Sequence, residues 1–294
     1  MSASRLYLSL LVIGAVWGLT IPLIKIAAGG GHHTGGLVFW QLVISTLALG
    51  VMLVVQRTGL SWRRRDVLLY LYIAFIGTLI PNSFSFTAAA HLPAGILAIG
   101  ISMVPLFAMP VALGLGLERP EARRFLGVGL GALAILLIAG PDSALPEGIE
   151  PLWVLVALVA PFCYAFEGNV VAKVGTGGLS PVQLLFSASL IGTIIAAPYA
   201  LTGGRFIPLW PMGVVELAII GNGLFHAAAY AGYLFLISRA GPVFSSQTAY
   251  LVTGSGVVWS MILLGERYSL WVWLAFAILF AGVALVQPKR REAA

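Results

Sequence analysis

Long apolar segments alternate with short polar ones along the whole chain. Most of the apolar segments are close to 20 residues long, about the length that an α-helix needs to cross a bilayer. Charged residues or Gly/Pro turns bound each of them. Ten transmembrane helices are predicted in this way, over residues 6–26, 36–56, 67–90, 94–117, 124–140, 152–173, 181–201, 212–237, 242–264 and 270–287. We therefore expect an all-α integral membrane protein with no soluble domain.

The composition agrees with this class. Hydrophobic residues make up 60% of the chain and charged residues 9%, and the mean hydropathy is +1.02. Soluble domains carry about 25% charged residues, which a water-facing surface requires. The net charge of +6 does not indicate nucleic-acid binding, because the basic residues lie in short clusters between apolar segments. The single cysteine, Cys163, excludes an intrachain disulfide and a cysteine metal cluster.

Alternate loops differ strongly in their basic residues. Positive charge is enriched in cytoplasmic loops of membrane proteins, so the count predicts an orientation. With the N-terminus inside, 13 of the 16 Lys and Arg residues lie inside, and only Lys25, Arg205 and Arg267 lie outside. The sequence therefore predicts a multi-pass membrane protein with both termini in the cytoplasm.

A five-residue phrase ending in Glu118-Arg119 recurs almost unchanged, ending in Glu266-Arg267. The two copies are 148 positions apart in a chain of 294, which indicates two fused copies of one unit. We predict a first repeat over residues 1–147 and a second over 148–294. Each repeat would hold five helices, and this odd number makes the second repeat enter the membrane from the other side. Such inverted repeats are typical of alternating-access transporters.

Several short motifs resemble the EamA type of the drug/metabolite transporter (DMT) superfamily. They are Gly14-x-x-Trp17-Gly18 followed by Lys25, Leu92-Pro93-Ala94-Gly95, Pro105, and the Glu-Arg pairs that close predicted helices 4 and 9. Within that superfamily the chain looks most similar to the YddG-type aromatic amino acid exporters. The resemblance implies a ten-helix secondary transporter. Tyr164 is a departure, since many members repeat the helix 1 motif in helix 6.

Polar and aromatic side chains follow one face of predicted helix 8. Their spacing of i, i+4, i+8 and i+11 places them on one side of a helix. A shift of 148 leads to a second polar face, on predicted helix 3. Because polar groups at membrane depth are costly unless they face the bundle interior, we expect two facing walls of a central cavity. The residues are Asn222, His226, Tyr230 and Tyr233 on helix 8, and Thr78, Asn82, Ser85 and the neighbouring Phe86 on helix 3.

Other helices are expected to contribute to the same cavity. The candidates are Trp17 on helix 1, Ser102 on helix 4, Tyr164 on helix 6, and Gln247 and Tyr250 on helix 9. Aromatic residues also pack between helices or form belts at the membrane interface, and this alternative stays open for each of them. For the polar candidate His226 the alternative is a neutral histidine that hydrogen-bonds two helices together.

Glu167 is the one acidic residue that is predicted well inside a span. Such a residue is a candidate for binding a substrate ammonium group or a coupling proton. The alternative is a side chain that extends to the inner interface or pairs with Lys173. The residues Glu118 and Glu266 likewise have two interpretations, a salt-bridged loop cap or a gate latch on each side of the membrane.

Glycines are spaced for close helix contact in predicted helices 5 and 10. Gly127, Gly129 and Gly131 recur at intervals of two, and Gly282 lies in the other helix. These helices are interpreted as structural or as the contact of a homodimer.

The expected function, following the resemblance, is secondary transport across a bacterial inner membrane that exports amino acids, with aromatic and other apolar ones favoured, or similar small metabolites. A multidrug or sugar-metabolite exporter, a channel, and an intramembrane protease with Ser255 and His226 remain alternatives. No deep arginine is predicted, which argues against phosphate or nucleotide-sugar substrates. Enzyme motifs for nucleotides, zinc or dinucleotides are missing from the sequence, so we expect neither a cofactor nor a metal. The expected partners are a small-molecule substrate and the bilayer, without nucleic acid.

Overall fold

The computed structural model describes residues 3–140, 145–245 and 248–286. All regular secondary structure in these ranges is helical, as predicted. The ten helices are α1 Ala3–Gly29, α2 Thr34–Val55, α3 Arg64–His91, α4 Ala94–Gly114, α5 Ala122–Ala139, α6 Leu152–Val174, α7 Pro181–Leu201, α8 Val214–Ser245, α9 Thr248–Leu264 and α10 Leu270–Val286. Eight of them contain spans long and apolar enough to cross a membrane, and α9 and α10 are shorter apolar helices.

With ten helices, the start of α1 and the end of α10 lie at the same end of the bundle. We call this end the terminal face, and the other end the opposite face. Helices α1, α3, α5, α7 and α9 run from the terminal face, and the other five run back to it.

The predicted and observed helices agree in number and order, and their bounds differ most between α8 and α9. The sequence predicted that helix 8 ends at 237 and that helix 9 begins at 242. This was wrong, because α8 continues to Ser245 and α9 begins at Thr248. Pro242 therefore lies inside a helix, which membrane helices tolerate when neighbouring groups replace the lost hydrogen bond.

Two helices are irregular at places that precede a proline. α3 widens into a π-helix over Ile73–Leu79, just before Pro81. Pro81 has no N–H to donate to the carbonyl group of Gly77, and its ring crowds that carbonyl, so a local change of helix geometry follows. α4 has a turn between Ile101 and Val104, before Pro105.

The packing of the helices repeats between the two halves of the chain. α1 packs against α8 and α9, and α6 packs in the corresponding way against α3 and α4. α2 packs against α7, and α5 packs against α10. A shift of five helices converts the contacts of α1 into those of α6, and it converts the α2–α7 and α5–α10 contacts into themselves. This pattern supports two inverted five-helix repeats, whose division at residues 147 and 148 stays a prediction.

Small residues allow the close contact between α1 and α9. A Cβ atom at Gly14 would collide with Leu251, and one at Gly18 would collide with Ser255. The hydroxyl group of Ser255 donates to the carbonyl oxygens of Gly14 and Leu251, at 2.9 and 2.6 Å. Ser255 therefore holds a helix interface together, which gives the protease alternative no support.

The glycines of α5 and α10 contact each other within the chain. A Cβ atom at Gly127 would lie 2.6 Å from the carbonyl oxygen of Gly282. Gly129, in contrast, has nothing within 4 Å of such an atom. The close helix contact is thus intramolecular, and the homodimer stays a prediction.

Candidate functional site

Four aromatic side chains from α1 and α8 form the centre of the candidate site. The indole ring of Trp17 lies 6.1 Å from the ring of His226, 6.0 Å from Tyr230 and 5.9 Å from Tyr233, measured between ring centroids. All three contacts are edge-on, the geometry that aromatic pairs favour. All four side chains are partly buried, so each keeps some surface for another molecule. Three of the four residues on the predicted face of α8 thus meet Trp17 of α1, whereas the amide group of Asn222 is sealed from solvent and has no hydrogen-bond partner among the described residues.

The carboxylate of Glu167 lies on α6 beside this aromatic group. It fills the space above Gly77 in the π-helical part of α3, where a Cβ atom would lie 2.6 Å from its carboxyl carbon. It is close enough to the phenols of Tyr164 and Tyr230 to interact with them electrostatically. Lys173 instead donates to the carbonyl oxygen of Leu115, at 3.0 Å. Among the described residues, Glu167 has no hydrogen bond and no ion pair.

Several other predicted site residues have polar side chains that also lack hydrogen-bond partners in the described part of the chain. The polar groups of Asn82, Ser85, Tyr164, His226 and Tyr230 form no hydrogen bond with a described residue. None of their polar atoms is among the described atoms that are sealed from solvent without a partner. Since buried polar groups in proteins are almost always hydrogen-bonded, these groups border a space that water or a ligand can fill.

Three of the predicted site residues lie elsewhere or outside the described part. The hydroxyl of Thr78 donates to the carbonyl oxygen of Ala74, at 2.6 Å, and faces Gly192 of α7. Phe86 is 2% exposed in an apolar cluster with α2 and α8, so it has no free surface in this conformation. Gln247 lies outside the described residues.

A cavity of about 480 Å³ lies between α4, α5, α6, α9 and α10. Two predicted site residues line it. Ser102 also hydrogen-bonds Thr253, and the ring of Tyr250 packs on Phe280 with centroids 5.3 Å apart. Asn169 lines it too and donates to the carbonyl oxygens of Ala108 and Ala165, at 3.1 and 2.8 Å. Asn169 is not among the predicted site residues. A polar residue inside an apolar helix could have indicated it, because such residues usually face the interior of the bundle.

An ion pair lies where this cavity reaches the terminal face. Nη1 of Arg124 is 3.0 Å from Oε2 of Glu118, and both side chains line the cavity. Arg124 is only 6% exposed. In the sequence Arg124 looks like one of the loop charges that set orientation, because its burial depends on how α5 packs.

The opposite face is closed by a carboxylate that binds the start of another helix. Oε1 of Glu266 accepts a hydrogen bond from the amide of Ala94, at 2.7 Å, and Oε2 accepts one from Gly95, at 3.1 Å. The phenol of Tyr268 also donates to Oε2. Burial and this hydrogen bond raise the pKa of the Tyr268 phenol, so that it stays protonated and keeps donating. Glu266 makes no ion pair with Arg267 among the described residues, so the salt-bridged cap was the wrong alternative on this side.

Two more contacts join helices at the opposite face. Nζ of Lys25 in α1 donates to the carbonyl oxygen of Ala89 in α3, at 2.8 Å. The rings of His91 and Trp153 stack with centroids 3.5 Å apart and tie the end of α3 to the start of α6. α1 packs against α3 and α4, whereas α6 makes no comparable contact with α8 or α9 in the described ranges. The described contacts thus close the bundle at the opposite face, whereas the cavity lined by Glu118 and Arg124 reaches the terminal face.

Comparison with known proteins agrees with this architecture. A sequence model of the EamA-like transporter family matches residues 5–140 and again residues 151–287. An uncharacterized transporter of Bacillus subtilis (strain 168), YxxF, is 26% identical over 270 residues, covering 87% of this chain and 81% of that protein. A solved crystal structure has the same fold, with a TM-score of 0.65 over 97% of this chain and 96% of the other, at 14% identity. The family model matches both halves of the chain and indicates a transporter and not an enzyme. The chain belongs to the EamA-like transporter family.

Proposed function

We propose that this transporter exports amino acids across a bacterial inner membrane, with aromatic and other apolar ones favoured. The observation that carries the proposal is the aromatic group around Trp17 next to the Glu167 carboxylate. An aromatic amino acid presents a ring and an ammonium group. The site presents a surface that packs on the first and a charge that binds the second.

The charge balance of the site favours a substrate with an ammonium group. A carboxylate inside a membrane protein is costly unless a cation or a proton neutralises it. No described cation pairs with Glu167. A bound ammonium group would supply the missing charge, while Asn82, Ser85 and His226 offer hydrogen bonds to the rest of the molecule.

The orientation of the bundle in the membrane follows from the basic residues. The loops at the terminal face carry most of the chain's 16 Lys and Arg residues, which favours a cytoplasmic terminal face. The open end of the bundle would then face the cytoplasm. This is the conformation in which an exporter takes up its substrate.

Release on the outside requires the bundle to open at the opposite face. In this proposal the bonds from Glu266 to the start of α4 act as a latch that keeps the opposite face closed during loading. Rocking of the two inverted repeats would break them and close the terminal face instead.

A counterflow assay in proteoliposomes tests this function. Vesicles loaded with unlabelled phenylalanine are expected to take up labelled phenylalanine in a saturable way, and alanine or a sugar is expected to compete less well. Trp17→Ala should raise KM by about tenfold, since packing on an aromatic ring contributes roughly 1.4 kcal/mol. Trp62→Ala is the matched control, because Trp62 is 68% exposed and lies outside the site.

The rival functions give different results in the same assay. A multidrug or sugar-metabolite exporter would exchange those compounds and leave phenylalanine unchanged. A channel would pass label without saturation and without counterflow. Either result would exclude amino acid export as proposed.

A further inference from the structure

We infer that the cavity at the terminal face contains a separate substrate subsite, in which the ion pair of Glu118 and Arg124 binds the zwitterionic head of an amino acid. The inference rests on the proposed function, since it concerns how the same substrate is captured. None of the central residues Trp17, Glu167 and His226 lines this cavity. The subsite is therefore distinct from the central site, and it reaches the terminal face at Glu118 and Arg124.

Arg124 has the properties of a binding group and not of a surface charge. It is 6% exposed, and its side chain lines a cavity of about 480 Å³. Its Nε atom is sealed from solvent and has no hydrogen-bond partner among the described residues. The nearest oxygen of Glu121 is 3.7 Å away from it, which is too long for a hydrogen bond. A guanidinium group has five N–H donors in a fork that fits a carboxylate. Because Nε is sealed, the donors that remain for a ligand are those on Nη1 and Nη2, of which Nη1 also pairs with Glu118.

Glu118 supplies the complementary charge at the right place. Its carboxylate is 3.0 Å from Nη1 of Arg124, and its side chain is 42% exposed, against 8% for Arg124. The positive group is thus held in the wall, and the negative group is free to move. An amino acid carries its ammonium and carboxylate groups on one carbon atom. Inserted between the two side chains, it exchanges one ion pair for two and leaves the total charge of the cavity unchanged.

The rest of the cavity suits an apolar side chain. The ring of Tyr250 packs on Phe280, and Phe280 packs on Phe276 with ring centroids 4.6 Å apart. Tyr250 and Phe280 both line the cavity, together with the apolar Met109 and Val283. The volume lies within the range of small-molecule sites, about 300–1,000 Å³. A ring attached to the bound head can therefore lie against the aromatic wall.

Such a subsite would select for molecules that carry both charges. A simple amine would take Glu118 from Arg124 and leave it only the longer ion pair with Glu121, at 3.7 Å, and a simple acid would compete with Glu118 for Arg124. Since buried charges without partners are costly, both would be disfavoured before they reach the central site.

The test compares phenylalanine with phenethylamine, which lacks the carboxylate, and with 3-phenylpropionate, which lacks the ammonium group. Counterflow competition in proteoliposomes gives the affinity for each. Arg124→Gln is expected to raise KM for phenylalanine by ten- to a hundredfold, the value of a charged hydrogen-bonded pair, with kcat little changed. Its affinity for phenethylamine should increase, because Arg124 no longer competes with the amine for Glu118, so the preference for the amino acid collapses.

Glu118→Gln keeps the test valid if Arg124→Gln does not fold. This substitution removes the carboxylate that would bind the ammonium group of the substrate. The same carboxylate competes with a bound acid for Arg124, so this competition is removed too. The affinity for 3-phenylpropionate should therefore increase while that for phenylalanine decreases, two opposite shifts that general damage does not produce. Arg119→Gln is the matched control, because Arg119 is exposed and does not line the cavity.

Unchanged preference in the Arg124 and Glu118 variants would overturn the subsite while leaving amino acid export intact. Failure of the wild-type protein to exchange any amino acid would overturn the proposed function, and the subsite with it. The two failures are therefore distinguishable in one set of measurements.

Discussion

At the scale of single residues, the position of the Glu167 carboxylate depends on a neighbouring glycine. Gly77 has no side chain, so the carboxylate occupies the space where a Cβ atom would be. Gly77 lies in the π-helical segment Ile73–Leu79, four residues before Pro81. A glycine and a proline in α3 therefore determine where a carboxylate of α6 is held.

The substitution Gly77→Ala should displace this carboxylate without changing any charge. The new Cβ atom would lie 2.7 Å from both carboxylate oxygens, so the Glu167 side chain has to turn away. We expect KM for phenylalanine to rise about tenfold, the effect of losing one favourable charged contact. Counterflow kinetics with purified protein measure it.

Gly168→Ala is the control for that experiment. It changes the residue next to Glu167 at a position where a Cβ atom meets nothing within 4 Å. Equal KM values for the two variants would show that the position of the carboxylate has no role in binding.

At the scale of helices, the latch at the opposite face uses the start of α4. The first amides of a helix have no partner within the helix and carry a partial positive charge. Glu266 binds two of them, in Ala94 and Gly95. A loop at the end of α9 thereby fixes the first turn of α4, and in the proposed cycle this contact breaks when the opposite face opens.

Glu266→Gln should loosen this contact, because an amide accepts such hydrogen bonds less strongly than a carboxylate. The substitution Ser85→Cys, made in a Cys163→Ala background, introduces a single cysteine on α3. Its reaction with a thiol reagent reports access to the interior from outside. In intact cells a membrane-impermeant thiol reagent should react with it up to about tenfold faster, for a loss near 1.4 kcal/mol.

Arg267→Gln serves as the comparison, since Arg267 makes no hydrogen bond or ion pair with a described residue. It should leave the labelling rate unchanged. If Glu266→Gln labels no faster than Arg267→Gln, the carboxylate does not hold the opposite face closed.

At the scale of the whole molecule, two similar halves adopt an unequal arrangement. Glu266 binds the start of α4, whereas its counterpart Glu118 pairs with Arg124 beside an open cavity. Because the two repeats are inverted, equivalent contacts can form at either face of the bundle. In any one conformation they form at one face only. The side from which substrate enters this conformation then depends on which face is cytoplasmic.

Protease protection of a tag fused after residue 294 tests this orientation. The tag should resist added protease in intact cells and be cleaved in inverted membrane vesicles, because the basic residues favour a cytoplasmic terminal face. Cleavage in intact cells would place the open cavity outside and would favour uptake over export.

Much of the architecture was predictable because it depends on local properties. The length of each apolar segment determined the number of helices, and the duplicated phrase at Glu118 and Glu266 indicated the repeat. Helical spacing also placed His226, Tyr230 and Tyr233 on one face, and these three residues do meet Trp17. Each inference needed only neighbouring residues or one fixed shift along the chain.

The tertiary structure decided which side chains come together, because that depends on the rotation, tilt and contact partners of each helix. Thr78 faces α7, Phe86 is packed in an apolar cluster, and Arg124 is buried at a cavity wall. No periodicity in the sequence distinguishes these outcomes. The sequence alone determined a ten-helix membrane bundle with related halves, since hydropathy and repetition are properties of the chain. Only the folded molecule decided which face is open, because that is a choice between two packings of the same helices.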